Sequence, residues 1–251
     1  MNGVRIDAVR KPSRTDARLL AATEYRRLAA QLRSLSGADW AQPTDCPSWD
    51  VRSMAGHCVG MLSDFTSFGA MVRRMRAAPR AAKAEGVPLI DAMTAQQVAE
   101  HADLTADELI AAIEDRGPTA ARWRTGAPAI LRAMPMKESV GGRPEVWRLR
   151  YLLDTILTRD PWMHRVDIAR ATGRDLVLTP DHDGRIVADV VAEWARRHGQ
   201  PFALTLTGPA GGRFVAGDAG GEELELDAVE FCRILSGRAP GTGLLAQPVP
   251  C

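Results

Sequence analysis

The sequence predicts a mainly α protein, with helices filling the first two-thirds and a small α/β unit ending the chain. Three observations carry this expectation. Apolar residues recur at helical spacing over long stretches, as in Leu19, Leu20, Leu28, Leu32 and Leu35. Helix-opening signals recur too: Asp50 before an apolar run, and Thr105-Ala106-Asp107-Glu108 in the pattern of a capping box. After Pro180 the period changes, and Phe202-Ala203-Leu204-Thr205-Leu206-Thr207 alternates in twos as a strand does.

In order, residues 13–35 read as a first helix that Gly37 stops. Trp40 to Trp49 holds Pro43 and Pro47 and reads as a loop whose tryptophans pack down onto the helices. Asp50 caps a second helix with Val51, Met54, Cys58, Met61, Leu62 and Phe65 on its apolar side, and His57 shares that side. Pro79, Gly86 and Pro88 predict a long loop with a short helix over 77–104. A helix follows from Thr105 to about Asp115, another helical piece between 119 and 133, and a loop over Met134–Pro144. From Glu145 the pattern is helical again, with Pro161 kinking or restarting a helix that ends at Gly173. A helix to Gly199, strands at 202–207, 213–216 and 223–226, and a helix opened by Asp227-Ala228-Val229-Glu230 complete the chain. The expected domains are 1–178 and 179–251.

The bulk numbers narrow the function. The chain has 251 residues, 45% of them hydrophobic, enough for a substantial core. Lys+Arg is 32 against 31 Asp+Glu, a net charge of +1, which gives no electrostatic reason to bind nucleic acid or anionic lipid. Arg73-Arg74-Met75-Arg76 reads as a solvated helix face. The first residues lack the apolar run of a signal peptide, and no stretch nears the roughly 18 apolar residues that span a bilayer. A soluble, cytoplasmic protein is expected. Cys46, Cys58, Cys232 and Cys251 form no C-x-x-C pair, which argues against a cysteine-only zinc site or a disulfide framework. Cys46 and Cys58 do flank His57.

The chemistry gathers on three residues. Asp160 and His164, four apart, share one face of a helix, with Cβ atoms roughly 5–6 Å apart. Both reach one metal ion, and His57 supplies a third ligand from another helix. Two histidines and a carboxylate leave a position open, as catalytic rather than structural zinc sites do. Asp167, one turn on, suits a carboxylate that fixes the His164 tautomer. The plainer readings stand beside these: His57 as an ordinary core or surface histidine, and Asp160 as an N-cap before a proline at N1. His101, His182 and His198 lie in polar surroundings and receive no role.

Two segments resemble the mycothiol-dependent maleylpyruvate isomerase family, a branch of the DinB-like four-helix-bundle superfamily. One is Trp40-x-x-Pro43-Thr44-x-Cys46-x-x-Trp49-Asp50-Val51-Arg52-x-x-x-x-His57, and the other is Arg159-Asp160-Pro161-Trp162-Met163-His164-Arg165-Val166-Asp167-Ile168-Ala169-Arg170. Leu235-Ser236-Gly237-Arg238 is similar to part of the family's small C-terminal domain. The resemblance implies an N-terminal DinB-like four-helix bundle followed by a small α/β domain. It implies metal ligation by His57, Asp160 and His164, with Asp160 standing where the family commonly has Glu. It also implies substrate binding by Arg238, which would otherwise be a helix-end arginine contacting carbonyls.

The implied cofactors are a divalent ion, zinc foremost, and mycothiol, the low-molecular-weight thiol of actinobacteria. A thiolate formed at the metal would attack an electrophilic carbon of a small-molecule substrate. The adduct then rotates and releases the thiol in an isomerase, or keeps it in an S-transferase. A hydrolase using metal-bound water and an inactive small-molecule-binding protein are the rival readings. The sequence leaves the substrate, the metal and the oligomeric state open.

Overall fold

The computed structural model describes residues 3–217 and 220–251; of the N-terminal segment read for a signal, Met1 and Asn2 lie outside it. The chain divides into two compact units. One comprises Arg14–Arg132 with Asp160–Leu176, and the other comprises the residues up to Ser13, Ala133–Arg159 and Val177–Cys251. This differs from a single cut at 178/179. The second unit draws on a short N-terminal strand and on a hairpin in the middle of the chain, neither of which has a hydrophobic period long enough to declare itself.

In the helical unit, α1 (Arg14–Arg33) buries Ala17, Ala21, Leu28 and Leu32. A short 3-10 turn at Asp39–Ala41 then buries Trp40. Asp50 caps α2 (Val51–Asp64) as expected, its carboxylate accepting from the Ser53 N–H at 2.8 Å. In place of the long loop with a short helix expected over 77–104 there are two helices, α3 (Phe68–Glu85) and α4 (Leu89–Ala99), separated by Gly86 at φ +70°. Pro79 lies within α3. The two helical pieces expected over 105–133 are one long α5 (Ala106–Gly126), with the full Thr105/Glu108 capping box and Pro118 inside it, then a single turn, α6 (Ala129–Arg132). Arg74 is not on a solvated face: it is buried, with Nε donating to Asp64 at 2.9 Å, while Arg73 and Arg76 are exposed.

The expected loop at 134–144 is an antiparallel hairpin, β2 (Pro135–Val140) and β3 (Arg143–Arg148), turning on Gly141 and Gly142 at φ +55° and +77°. Positive φ at both turn residues suits a two-residue hairpin loop. Helix therefore begins at Leu149 rather than Glu145. It runs as α7 (Leu149–Tyr151), a π-helical turn (Leu152–Ile156) and α8 (Leu157–Thr172), which Gly173 ends at φ +66°. Asp160 lies inside α8, so it is not an N-cap. Pro161 has no N–H for the Leu157 carbonyl, and the π turn just upstream is where the ladder is reset.

Helices α1, α5, α2 and the Asp160–Thr172 part of α8 close the four-helix core. α1 packs on α5 and α5 on α2. α8 joins α1 through the Arg165–Glu24 ion pair at 3.0 Å and through Gln31, whose Nε2 donates to the Arg165 carbonyl at 2.9 Å. His57 and Asp160 bring α2 against α8.

In the other unit, β1 (Val4–Arg5), β4 (Phe202–Thr207), β5 (Gly212–Ala216) and β6 (Glu222–Asp227) form a sheet in the order β1-β5-β4-β6. β4 and β5 are antiparallel with Leu204 opposite Phe214, and β4 and β6 are parallel with Leu204 opposite Leu224. Phe202, Leu204 and Leu206 face inward. They share the core with α9 (Arg185–His198) and α10 (Ala228–Leu235), where Trp194 packs on Phe202 and Phe231 at ring-centroid distances of 4.8 and 5.4 Å. No helix among the described residues is long and apolar enough to cross a membrane.

Candidate metal centre

The helical unit brings His57, Asp160 and His164 together. α2 presents His57 from its buried side, and α8 presents the other two on one face, as the i,i+4 spacing requires. His57 Nε2 lies 3.3 Å from Asp160 Oδ2, and His164 Nε2 lies 3.3 Å from Asp160 Oδ1. One donor atom from each residue lies within 4.8 Å of the others. Two ligands about 2.1 Å from a tetrahedral ion stand about 3.4 Å apart, so this spacing is that of a shared ion. Both imidazoles are buried, and Asp160 is partly open to solvent.

The fit extends to the hydrogen bonding. His164 Nδ1 sits 3.2 Å from Oδ2 of the fully buried Asp167. If Nδ1 donates there, the Nε2 lone pair is free, and Nε2 has no aligned hydrogen-bond partner although it is buried. The nearby Asp160 oxygen is close enough for ion pairing but not in hydrogen-bond geometry. Burial alone would lower the His164 pKa, but the carboxylates of Asp160 and Asp167 outweigh it and raise it to about 9. Burial would likewise raise Asp160, but the two histidines pull it well below the usual carboxylate range. The three candidate donors are thus an ionised carboxylate and two imidazoles.

The loop before α2 closes over these groups. Trp49 stacks near both imidazoles, with ring centroids 4.8 Å from His57 and 5.9 Å from His164. Thr44 holds the loop: its N–H and hydroxyl both donate to the Trp49 carbonyl, at 3.0 and 2.8 Å. The packing expected of the tryptophan-rich loop is realised here, although sequence alone does not say that Trp49 lands on the histidines. Below lie Tyr25 and Cys58, both fully buried. Burial, reinforced by Asp160 and Glu24, pushes Tyr25 up to about 12 despite Arg124 and holds the Cys58 thiol well above its usual value, so both stay neutral.

Arg238 belongs to the other unit. Its N–H donates to the Arg233 carbonyl at 2.8 Å, past Gly237 at φ +82°, which makes it part of the C-terminal turn of α10. His101 and His182 are buried, and among polar groups as expected: His101 Nδ1 lies 2.8 Å from the Gln97 carbonyl, and His182 lies beside Asp183. His198 packs on Trp194 at 4.3 Å.

Solved structures of a mycothiol-dependent maleylpyruvate isomerase and of a histidine-to-alanine mutant of it are similar to this chain. Each superposes with a TM-score of 0.55 at 15% identity, covering 91% of this chain and 90% of the other. At that identity the likeness shows the fold. No curated protein matches the chain. The family described as the mycothiol maleylpyruvate isomerase N-terminal domain matches residues 21–169, which hold every residue of the His57, Asp160 and His164 cluster. Matched over more than half its length, the chain belongs to the mycothiol maleylpyruvate isomerase family.

Proposed function

We propose that this protein is a divalent-metal-dependent enzyme that uses mycothiol to isomerise, or to transfer the thiol to, an electrophilic small molecule. The observation that carries the reading is the 3.3 Å spacing of the Asp160 oxygens from both imidazoles, with Nε2 of His164 buried and unbonded. His57, Asp160 and His164 would hold the ion, and zinc suits two imidazoles with one carboxylate. A divalent ion in such a site lowers the pKa of a thiol or water that reaches it.

The chain's own groups do the rest. Asp167 fixes the tautomer of His164, and Trp49 covers the imidazoles and limits water around them. Addition of a thiolate to the substrate serves both outcomes, since release of the thiol completes an isomerisation and its retention completes a transfer. Arg238 is carried as the cationic group for an acidic substrate on the resemblance of its motif. None of the four cysteines forms a disulfide, which fits a reducing, cytoplasmic setting. The expected partners are the substrate and mycothiol, with neither nucleic acid nor membrane.

The test is elemental analysis of protein purified without chelator, together with His57→Ala and His164→Ala. The expected result is one divalent ion per chain, lost in both variants, and turnover of electrophilic substrates only with mycothiol. Turnover without thiol would replace this reading with hydrolysis by metal-bound water. Metal-free wild type would overturn it.

A further inference from the structure

Helix α8 carries two of the three candidate ligands and is enclosed on every side. Every residue from Pro161 to Ala169 is buried, Trp162, Met163, Val166 and Ile168 among them. Such a helix has no single apolar stripe, so burial alone favours none of its faces over the others. Its roll about its own axis falls to its polar contacts. Side-chain ends stand roughly 5–6 Å from a helix axis, so a roll of about 20° carries them about 2 Å. Metal–ligand distances hold to about 0.2 Å, so the roll decides whether Asp160 and His164 meet an ion at all.

Two contacts with α1 fix that roll. Arg165 and Glu24 are buried, and Nη1 of Arg165 donates to both Glu24 oxygens, at 3.2 and 3.0 Å. About two turns further along α1, Gln31 Nε2 donates to the main-chain carbonyl of the same Arg165 at 2.9 Å. Gln31 Oε1 is buried without a hydrogen-bond partner, so that amide is committed to the one contact. One contact grips the side chain and the other the backbone, which fixes direction as well as distance. Arg165 stands about 100° around the helix from His164. The grip therefore faces α1 while Asp160, and His164 beside it, face His57.

We infer that Arg165, held by Glu24 and Gln31, is a positioning residue that sets the roll of α8 and so aims Asp160 and His164 at His57. The inference rests on the metal-binding reading of those three residues and adds the device that aligns them. A buried ion pair gains little stability over apolar side chains of similar volume, and its better-attested use is to select one arrangement among several.

The test is Glu24→Leu combined with Arg165→Met in the full-length protein, which removes both charges and keeps the volume. In urea the metal-free double variant is expected to unfold close to the wild-type midpoint. Its zinc affinity, from chelator competition, is expected to fall by about 10–100-fold. The visible bands of its cobalt(II) form are expected to weaken as water replaces a misaimed imidazole. A folded double variant with wild-type zinc affinity and cobalt spectrum overturns the inference and leaves the His57, Asp160 and His164 site standing. Wild type that binds neither zinc nor cobalt overturns both. If the double variant does not fold, Gln31→Met decides, since it keeps the ion pair and releases only the backbone grip. Lower zinc affinity and weaker cobalt bands in Gln31→Met support the inference, and wild-type values for both overturn it.

Discussion

At His164, two carboxylates decide the behaviour of one ring. Asp160 and Asp167 raise its pKa to about 9 against the effect of burial, so in the metal-free protein the ring is a cation through neutral pH. A metal must displace that proton. Zinc affinity is therefore expected to rise with pH, tenfold per unit, and to level off above about pH 9, as chelator-competition titrations across pH 6–9 would show. The same shift stabilises the metal-free fold below pH 6.5 and ceases to do so as pH climbs through about 9. In the proposed metal site Asp167 would act through the ring, which it meets at Nδ1, rather than on the ion. Asp167→Ala is expected to weaken zinc binding by about 10–100-fold in the same titration. This arrangement was legible as spacing in the sequence, since residues 160, 164 and 167 stand one turn apart. That Trp49 lies on the imidazoles was not, because loops carry no period from which an address can be read.

Among the elements, the proline positions separate expectation from outcome. Pro79 reads as an interruption and Pro118 falls between two expected helical pieces, yet each lies inside a helix. Both are solvent-exposed, as are Met75 and Glu114, four residues before them, so the carbonyls that lose their N–H partners lie on faces that water reaches. Sequence shows the proline but not which side of the helix it is on. Gly117 has the opposite lesson. A Cβ there would sit 2.9 Å from Tyr25 Cβ, so α1 and α5 approach at a point that only glycine allows. Gly117→Ala is expected to lower stability by about 1–3 kcal/mol, read from urea unfolding. An unchanged midpoint would mean that the two helices separate freely. Removing the hydroxyl that caps α5, Thr105→Ala, is expected to cost about 1 kcal/mol in the same measurement.

The molecule as a whole contains more buried charge than its composition suggests. In the unit that carries the sheet, Arg159 is 2% exposed and binds Asp189 at 2.7 Å, Glu193 at 2.9 Å and the Pro250 carbonyl at 3.1 Å. Glu193 also accepts from Tyr151 and Arg197. Removing one partner leaves the others buried and uncompensated, so Arg159→Leu is expected to destabilise by about 3–5 kcal/mol in thermal or urea melts. Burial would raise the Glu193 pKa, but Arg159, Tyr151 and Arg197 bring it below its usual 4.5. Its contribution is therefore complete above pH 4.5 and is lost as pH falls below that value. Glu193→Gln should be less stable at pH 7 and show a shallower loss of stability in the acid window. A parallel acid slope would place the lost charge elsewhere.

By itself the sequence determined the helical character of the first two-thirds, the caps at Asp50 and Thr105, the strands at 202–207, 213–216 and 223–226, and the pairing of Asp160 with His164 on one helix face. These are local properties, set by side-chain periods and by groups three or four residues apart. Tertiary structure alone decided that His57 meets that face, that residues 135–148 pair as a hairpin, that β1 joins β5, and that Arg165, Glu24, Arg159 and Glu193 are buried. Each of these depends on contacts between segments distant along the chain, and burial and pairing at such separations leave no periodic trace in either partner.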